Sequence, residues 1–206
     1  IGRIEKLVEE VRGKKVIHIG CADHIPLIES KMAKGRWLHK RLEEVSEKIV
    51  GIDINKDAIK HLKGMGVVNV FELDVISDPI PEYITNEKWD YIILGEIVEH
   101  LDNPVQFLSD VNKKFFLYAD EILITAPNAF RLSNFKNALK TLEFINTDHR
   151  FWFTPFTLAK VAMRSGMVPN DFYFAHSFSR WNPVRQILHR MFPALSDTII
   201  LRASLK

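Results

Sequence analysis

KKVIHIGCADH, residues 14–24, reads as a buried strand that runs straight into a glycine. Val16, Ile17 and Ile19 make the apolar run, and the basic pair Lys14 and Lys15 precedes it. Gly20 follows at once, then the small residues Cys21 and Ala22. A glycine at the carboxyl end of a first strand lets backbone approach a ligand closely, and nearby N–H groups can then meet a carboxylate or phosphate. Taken alone, the segment is equally a plain strand-to-loop turn. Its meaning depends on what recurs downstream.

The same pattern does recur. IVGID (49–53) is a second strand, followed by a helical stretch over 55–63 that Gly64 and Gly66 end. VVNVFEL (67–73) and WDYIILG (89–95) are a third and a fourth, the latter apolar enough to be buried on both faces. Asn103 caps a helix with Pro104 at its first position, running to about Phe116, and EILITAP (121–127) is a fifth strand stopped by Pro127. In the excursion over 21–48, Leu38, Leu42 and Val45 have helical spacing. Further on, 130–142 reads as a helix over the top of the sheet, and Thr154-Pro155 starts a helix ending near Gly166. DFYFAHS (171–177) and TIILRASL (198–205) are strand-like, with a helical stretch at 181–191 between them. Strands alternating with helices predict an α/β, Rossmann-like three-layer sandwich. Its sheet has seven strands, mostly parallel, with an antiparallel C-terminal pair. No repeat or long linker divides residues 1–206, so one domain is expected.

Composition narrows the partners. The chain carries 28 basic and 26 acidic residues, a formal charge of +2, which predicts no broad nucleic-acid footprint. Cys21 is the only cysteine, so no internal disulfide can form and a reducing, cytoplasmic setting is expected. No apolar run approaches the ~20 residues needed to span a bilayer. The start, IGRIEKLVEEVRG, reads as a charged helix rather than a signal peptide. It begins at Ile1 rather than Met, so further sequence upstream is an open expectation.

Polar residues mark the strand ends. Asp53 closes strand two, where a carboxylate can accept from both hydroxyls of a ribose or simply cap the next helix. Asp74 follows strand three, where it can accept from an adenine amino group with Ile54 and Val75 flanking the ring, or bond within its own turn. Gly95 and Glu96 end strand four, at the switch point where such sheets open a crevice. One such residue means little; four at successive strand ends, in order, are specific.

The combination resembles the seven-stranded S-adenosylmethionine-dependent methyltransferase superfamily, from Val16 to about Gly166. VIHIGCADH stands for its first motif, VGID for its ribose acid, LDV for its adenine contact and YIILGEIVEHLDNP for its fourth-strand motif. EILITAPNAF follows, and DHRFWFTPFTLAKVAMRSGM (148–167) looks like a segment of small-molecule and sugar-linked members. The resemblance implies cofactor contacts at Gly20, Cys21, Ala22, Asp53, Ile54, Asp74, Val75, Gly95 and Glu96. Two departures stand out. His18 occupies a position that is usually acidic, and Ala22 and His24 stand where further glycines are usual. A nicotinamide enzyme is disfavoured, since G-x-G-x-x-G is absent and Asp53 lies 33 residues after Gly20.

Methyl transfer to a hydroxyl also needs a base. EIVEHL (96–101) puts Glu96, Glu99 and His100 on one face if it is helical, and TDHRFWF adds His149. Glu99, His100 and His149 are therefore the candidate catalytic residues. All four could instead hold a divalent cation, as in the similar site of methyltransferases that modify the 2′-hydroxyl at small-RNA 3′ ends, or could serve as a structural helix start. The preferred reading uses no metal. Among Phe151, Trp152, Phe153 and Phe156, Trp152 is the candidate pocket residue and Phe156 is expected in the core. Arg131, Arg150 and Lys136 could attract an anionic substrate, although solvated surface is the plainer reading. Trp37 and His39, by position alone, would cover the cofactor like a lid, although a packing Trp is an equal reading, and the sequence suggests no role for His61, His176 and His189. The expected activity is methyl transfer from S-adenosylmethionine to a small-molecule or glycan-linked acceptor, at oxygen. The alternatives are a metal-dependent RNA 2′-O-methyltransferase and a non-catalytic binding module.

Overall fold

The computed structural model describes residues 1–176, 187 and 189–206. The strands are β1 (Lys15–Ile19), β2 (Lys48–Asp53), β3 (Val70–Glu72), β4 (Trp89–Gly95), β5 (Ala119–Pro127), β6 (Val168–Ala175) and β7 (Thr198–Ser204). They form one sheet in the order β3-β2-β1-β4-β5-β7-β6, parallel from β3 to β5 and antiparallel where β7 joins β5 and β6. This is the expected Rossmann-like α/β architecture. Most of the expected 181–191 helix, and residue 177 of the strand before it, lie outside the described residues.

Both faces of the central strands are apolar, which is why they read as continuous runs rather than alternating ones. Ile17, Ile19, Ile92, Leu94, Ile122 and Ile124 face one side with Leu108, Val111, Phe115, Leu158 and Ala162. Those residues come from helices α6 (Pro104–Phe115) and α8 (Pro155–Arg164). Val16, Ile49, Tyr91, Ile93 and Leu123 face the other, against Ile4, Leu7, Val8 and Val11 at the N-terminus and Leu42. Helices α1 (Arg3–Glu10) and α3 (Leu38–Glu43) supply that layer, and α4 (Lys56–Gly64) continues it beside β3.

Local chemistry sets the helix starts. Asn103 Oδ1 accepts from Gln106 N at 3.0 Å with Pro104 behind it. Thr154 and Thr157 form a reciprocal capping box at α8. Asn55, not Asp53, caps α4, accepting from Ala58 N at 3.0 Å.

Three differences from the sequence reading have clear causes. Helix α2 (Ile25–Ala33) lies inside the 21–48 excursion and buries only Ile28, so it has no apolar stripe to read. Strand β3 is shorter than 67–73 because Gly66 and Val67 still finish the turn after α4, with Val67 N bonded to Leu62 O at 3.1 Å. Phe156 is exposed (69 %), because the buried stripe of α8 runs through Leu158 and Ala162 and leaves Phe156 on the opposite side. The helix expected over 130–142 is shorter, α7 (Leu132–Ala138), and the four-residue α5 is Glu82–Thr85. No helix among the described residues is long and apolar enough to cross a membrane.

The packing predicts a contrast. Leu108→Ala, in the fully buried layer, should lower unfolding free energy by about 2–5 kcal/mol. Val68→Ala, at an 80 % exposed position, should stay within about 0.5 kcal/mol. Urea denaturation of the two variants checks this.

Candidate functional site

Parallel register brings the strand tips together. Ile19 pairs with both Ile52 and Leu94, and Gly95 pairs with Thr125. The next residues, Gly20 and Asp53, therefore stand beside Gly95 along one edge of the sheet. They line a cleft of about 650 Å³, together with Cys21, Ala22, Glu96, Glu99, His100 and His149.

Gly20 has φ of +71°, a left-handed conformation that strains other residues, and a Cβ there would also displace Ile97 Cδ1, 2.4 Å away. Asp53 anchors the loop that follows. Its Oδ2 accepts from Ala22 N and its Oδ1 from Asn55 N, both at 2.9 Å. Burial raises its pKa while these backbone donors work against that. Each oxygen keeps one lone pair for a further donor. Cys21 contributes backbone rather than thiol: its side chain is buried, burial drives the thiol pKa far up, and its carbonyl accepts from Trp37 Nε1 at 3.1 Å. Trp37 is thus packed into the wall of the cleft and His39 is buried behind His18, so neither forms an outlying cover.

Three expected cofactor residues lie off this lining. Ile54 follows Asp53 and is 71 % exposed. Val75 is packed in the core. The Asp74 carboxylate accepts from Ser77 Oγ at 2.7 Å and Ile76 N at 2.9 Å, bonds within its own turn that hold its pKa low.

Beyond β4 the chain does not continue as an α-helix. Glu96 is left-handed (φ 59°), and only Val98–His100 form a single 3-10 turn. The expected one-face helix is therefore absent, and Glu96 turns instead to Arg3, 3.4 Å away. Glu99, His100 and His149 nevertheless converge, each offering a ligand atom within 4.8 Å of the others. The segment before α8 is tied to this turn: Arg150 N donates to Glu99 O at 2.7 Å, Arg150 Nη1 to His100 O at 2.9 Å, and Arg150 Nε pairs with Asp102. Arg150 is thus a clamp rather than a substrate group.

The electrostatics of this trio are unusual. Glu99 is fully buried, and among the described residues neither carboxylate oxygen has a hydrogen-bond partner. Burial, reinforced by the charge of Glu96, raises its pKa to about 8. His100 Nδ1 faces the Asp148 carbonyl at 3.1 Å. A carbonyl only accepts, so Nδ1 carries the proton and Nε2 keeps its lone pair. The ring of His149 meets that of His100 edge-on at 4.6 Å, and burial lowers its pKa. On the outer side, Arg131 lies 4.6 Å over the Trp152 ring and lines the cleft, whereas Trp152, the expected pocket residue, sits behind it off the lining, and Lys136 is exposed and outside it.

Sequence reasoning missed Arg3. Helix α1 buries Ile4, Leu7 and Val8 and leaves the neighbouring Arg3 at the cleft, where its Nη1 donates to Thr125 Oγ1 at 3.3 Å. No motif marks it, because only the docking of α1 brings it there.

No family model and no curated protein sequence matches the chain. Many solved structures share its fold. The small RNA methyltransferase HEN1 aligns with TM-score 0.63 and 15 % identity, covering 99 % of this chain and 25 % of that one. A SAM dependent methyltransferase from Aquifex aeolicus aligns at 0.58 and 14 %, covering 100 % and 90 %. The [4+2]-cyclase SpnF aligns at 0.56 and 13 %, covering 98 % and 80 %. The chain spans a quarter of the length of the RNA enzyme and most of the other two. Its fold is that of the S-adenosylmethionine-dependent methyltransferases, and a cyclase carries the same fold.

Glu99 makes the site pH-sensitive. A carboxyl whose folded pKa exceeds its unfolded value stabilises the protein less as pH rises between the two. Stability in the presence of chelator should therefore fall from about pH 4.5 to about pH 8, by on the order of a few kcal/mol. Glu99→Gln should flatten that decline in thermal or urea unfolding.

Proposed function

We propose that this chain transfers a methyl group from S-adenosylmethionine to an oxygen of a small-molecule or glycan-linked acceptor. The observation that carries the reading is the shared edge formed by Gly20, Asp53 and Gly95, in the fold of such enzymes. Gly20 makes the left-handed turn out of β1 that brings the following backbone to the cleft, and Asp53 keeps acceptor capacity for ribose hydroxyls. Ile54, apolar and exposed beside it, offers a face for the adenine ring. Asp74 and Val75 sit further along the same direction of the sheet edge, beyond β3.

The cofactor, when bound, supplies an electrophilic methyl group on a sulfonium, open to in-line displacement. The chain's own residues align the acceptor and handle its proton. His100 Nε2 carries the lone pair needed to take that proton, with the imidazole oriented by the Asp148 carbonyl. Glu99 and His149 stand within reach as partners. Arg131, which lines the cleft and stacks on Trp152, offers a positive charge suited to an acceptor bearing an anionic group.

A second reading has its own support. A buried carboxylate whose oxygens have no partner among the described residues, close to two imidazoles, suits a divalent cation. The His100 bond to a backbone carbonyl is the support that metal-bound imidazoles usually have. This favours a metal-dependent 2′-O-methyltransferase acting on RNA, the alternative that a net charge of +2 weakens.

Calorimetry should detect S-adenosylmethionine binding, and Asp53→Ala should weaken it about 10- to 100-fold through lost ribose contacts. Absence of heat and of thermal shift at millimolar cofactor would remove the proposal. In an acceptor screen that yields demethylated cofactor, activity lost to chelator and to Glu99→Ala would select the metal-dependent reading. Activity indifferent to chelator would eliminate it.

A further inference from the structure

Residues 130–152 form an excursion at the cleft end of the sheet, closed at its base where Ala129 N donates to Phe153 O at 2.8 Å. Its helix, α7, buries none of its residues, and every residue of 138–148 is exposed. Phe130, Phe135, Leu139, Leu142 and Phe144 are each 50–73 % exposed. A neighbouring segment adds to them. β7 starts at Thr198, opposite Pro127 at the end of β5, and Asn128 Nδ2 donates to Ala194 O at 2.7 Å. Exposed Met191 and Phe192 therefore stand at the same end of the sheet. Single apolar residues on a surface are ordinary, whereas a run of large ones in one excursion marks an interaction surface. Backbone bonds hold it in shape. Thr141 is left-handed (φ 55°), with Thr141 N bonded to Ala138 O at 2.9 Å and Leu142 N to Asn137 O at 3.0 Å, a closure that ends α7 in an ordered turn.

Charge says what such a surface takes. Phe135 and Leu139 are one helical turn apart, and so are Lys136 and Lys140 beside them, which sets an exposed apolar stripe next to an exposed basic one. Residues 129–142 hold three bases and no acid. The pairing recurs at α8, where Lys160 lies 5.6 Å over the exposed ring of Phe156. A second copy of this chain is a poor match, because a two-fold contact would set Lys136 and Lys140 against themselves with no acid in the stretch to pair them. Single-stranded RNA also takes aromatic rings with basic charge, but Leu139, Leu142 and Ile145 offer no face on which a base stacks. Aliphatic and aromatic side chains interleaved with lysines are the composition of a segment that lies in a lipid interface.

We infer that α7 and the turn after it dock on an anionic lipid bilayer, with the apolar side chains entering the acyl boundary and the lysines meeting the headgroup phosphates. Arg131 and Asn146, which flank this segment, line the cleft, so a docked bilayer lies beside the cleft mouth. Docking of this kind needs no bound cofactor, and its failure would leave the methyl-transfer reading untouched.

The test is sedimentation of the full chain with vesicles of phosphatidylcholine, alone or with about a third phosphatidylglycerol. The anionic vesicles should bind about tenfold or more tightly, and the gap should close as salt screens it. Phe135→Ser/Leu139→Ser should weaken binding about tenfold or more with charge unchanged. Lys136→Glu/Lys140→Glu should erase the anionic preference. Lys113→Glu/Arg164→Glu makes the same change of net charge near the far ends of α6 and α8 and should bind like wild type. All of these positions are exposed, so urea midpoints should stay near that of wild type, which separates lost docking from lost folding. Lipid brominated on its acyl chains should quench the added emission of Phe135→Trp. Equal binding to both vesicle types, no binding to either at low salt, or unquenched emission in Phe135→Trp overturns the inference. A dimer or a polyuridylate complex that Phe135→Ser/Leu139→Ser abolishes, in place of vesicle binding, assigns the surface to a second copy or to RNA and overturns it as well.

Discussion

Burial of β1, β2, β4 and β5 on both faces is the constraint from which the cleft follows. A strand packed above and below by helices cannot carry unpaired polar side chains along its length without a desolvation penalty. Polar chemistry is therefore pushed to the strand ends, and parallel register sets those ends side by side. The loops leaving β1, β2 and β4 then share one opening, lined by Gly20, Asp53 and Gly95. The exceptions along the strands are informative. Buried Thr125 accepts from Arg3 Nη1 and from Glu96 N, and buried His18 is matched to His39 with glycine at position 51 to admit them.

The second wall of the cleft depends on a break in regular structure. Left-handed Glu96 redirects the chain after β4, and the short turn that follows buries the Glu99 carboxyl with no hydrogen-bond partner among the described residues. Such a carboxyl is costly to ionise in a protein interior unless a cation or proton accompanies it. The turn holds because Arg150 reaches back to the carbonyl of His100 and to Asp102. The same clamp places His149 against His100, so one interaction both stabilises the loop and completes the cluster.

The two walls divide the polar work. On the β1 side, hydrogen-bond roles are held by packing: a buried neutral imidazole pair with an amide behind it, and a carboxylate already bonded to two backbone N–H groups. On the β4 side, the groups are titratable and close together, with Glu99 raised and His149 lowered. A ligand group meeting the first wall is selected by donor and acceptor pattern, and one meeting the second is selected by charge and proton availability.

The alternation of apolar runs with helical stretches was enough to read the α/β class, the seven strands and their antiparallel close, because two-sided burial writes itself into composition residue by residue. Strand ends could be read too, since Gly20, Asp53 and Gly95 interrupt those runs. What the chain could not disclose by itself were contacts between segments distant in sequence. Arg3 enters the cleft only because α1 docks on the sheet, and buried His18 meets His39, with Asn69 and Glu43 behind it, only through packing of segments that share no motif. Glu99, His100 and His149 could be named from sequence, but their approach depends on the Arg150 clamp and on a left-handed residue that no helical spacing predicts. Local propensity and burial act along the chain and leave a periodic trace, whereas hydrogen bonds across it leave none until packing has chosen the partners.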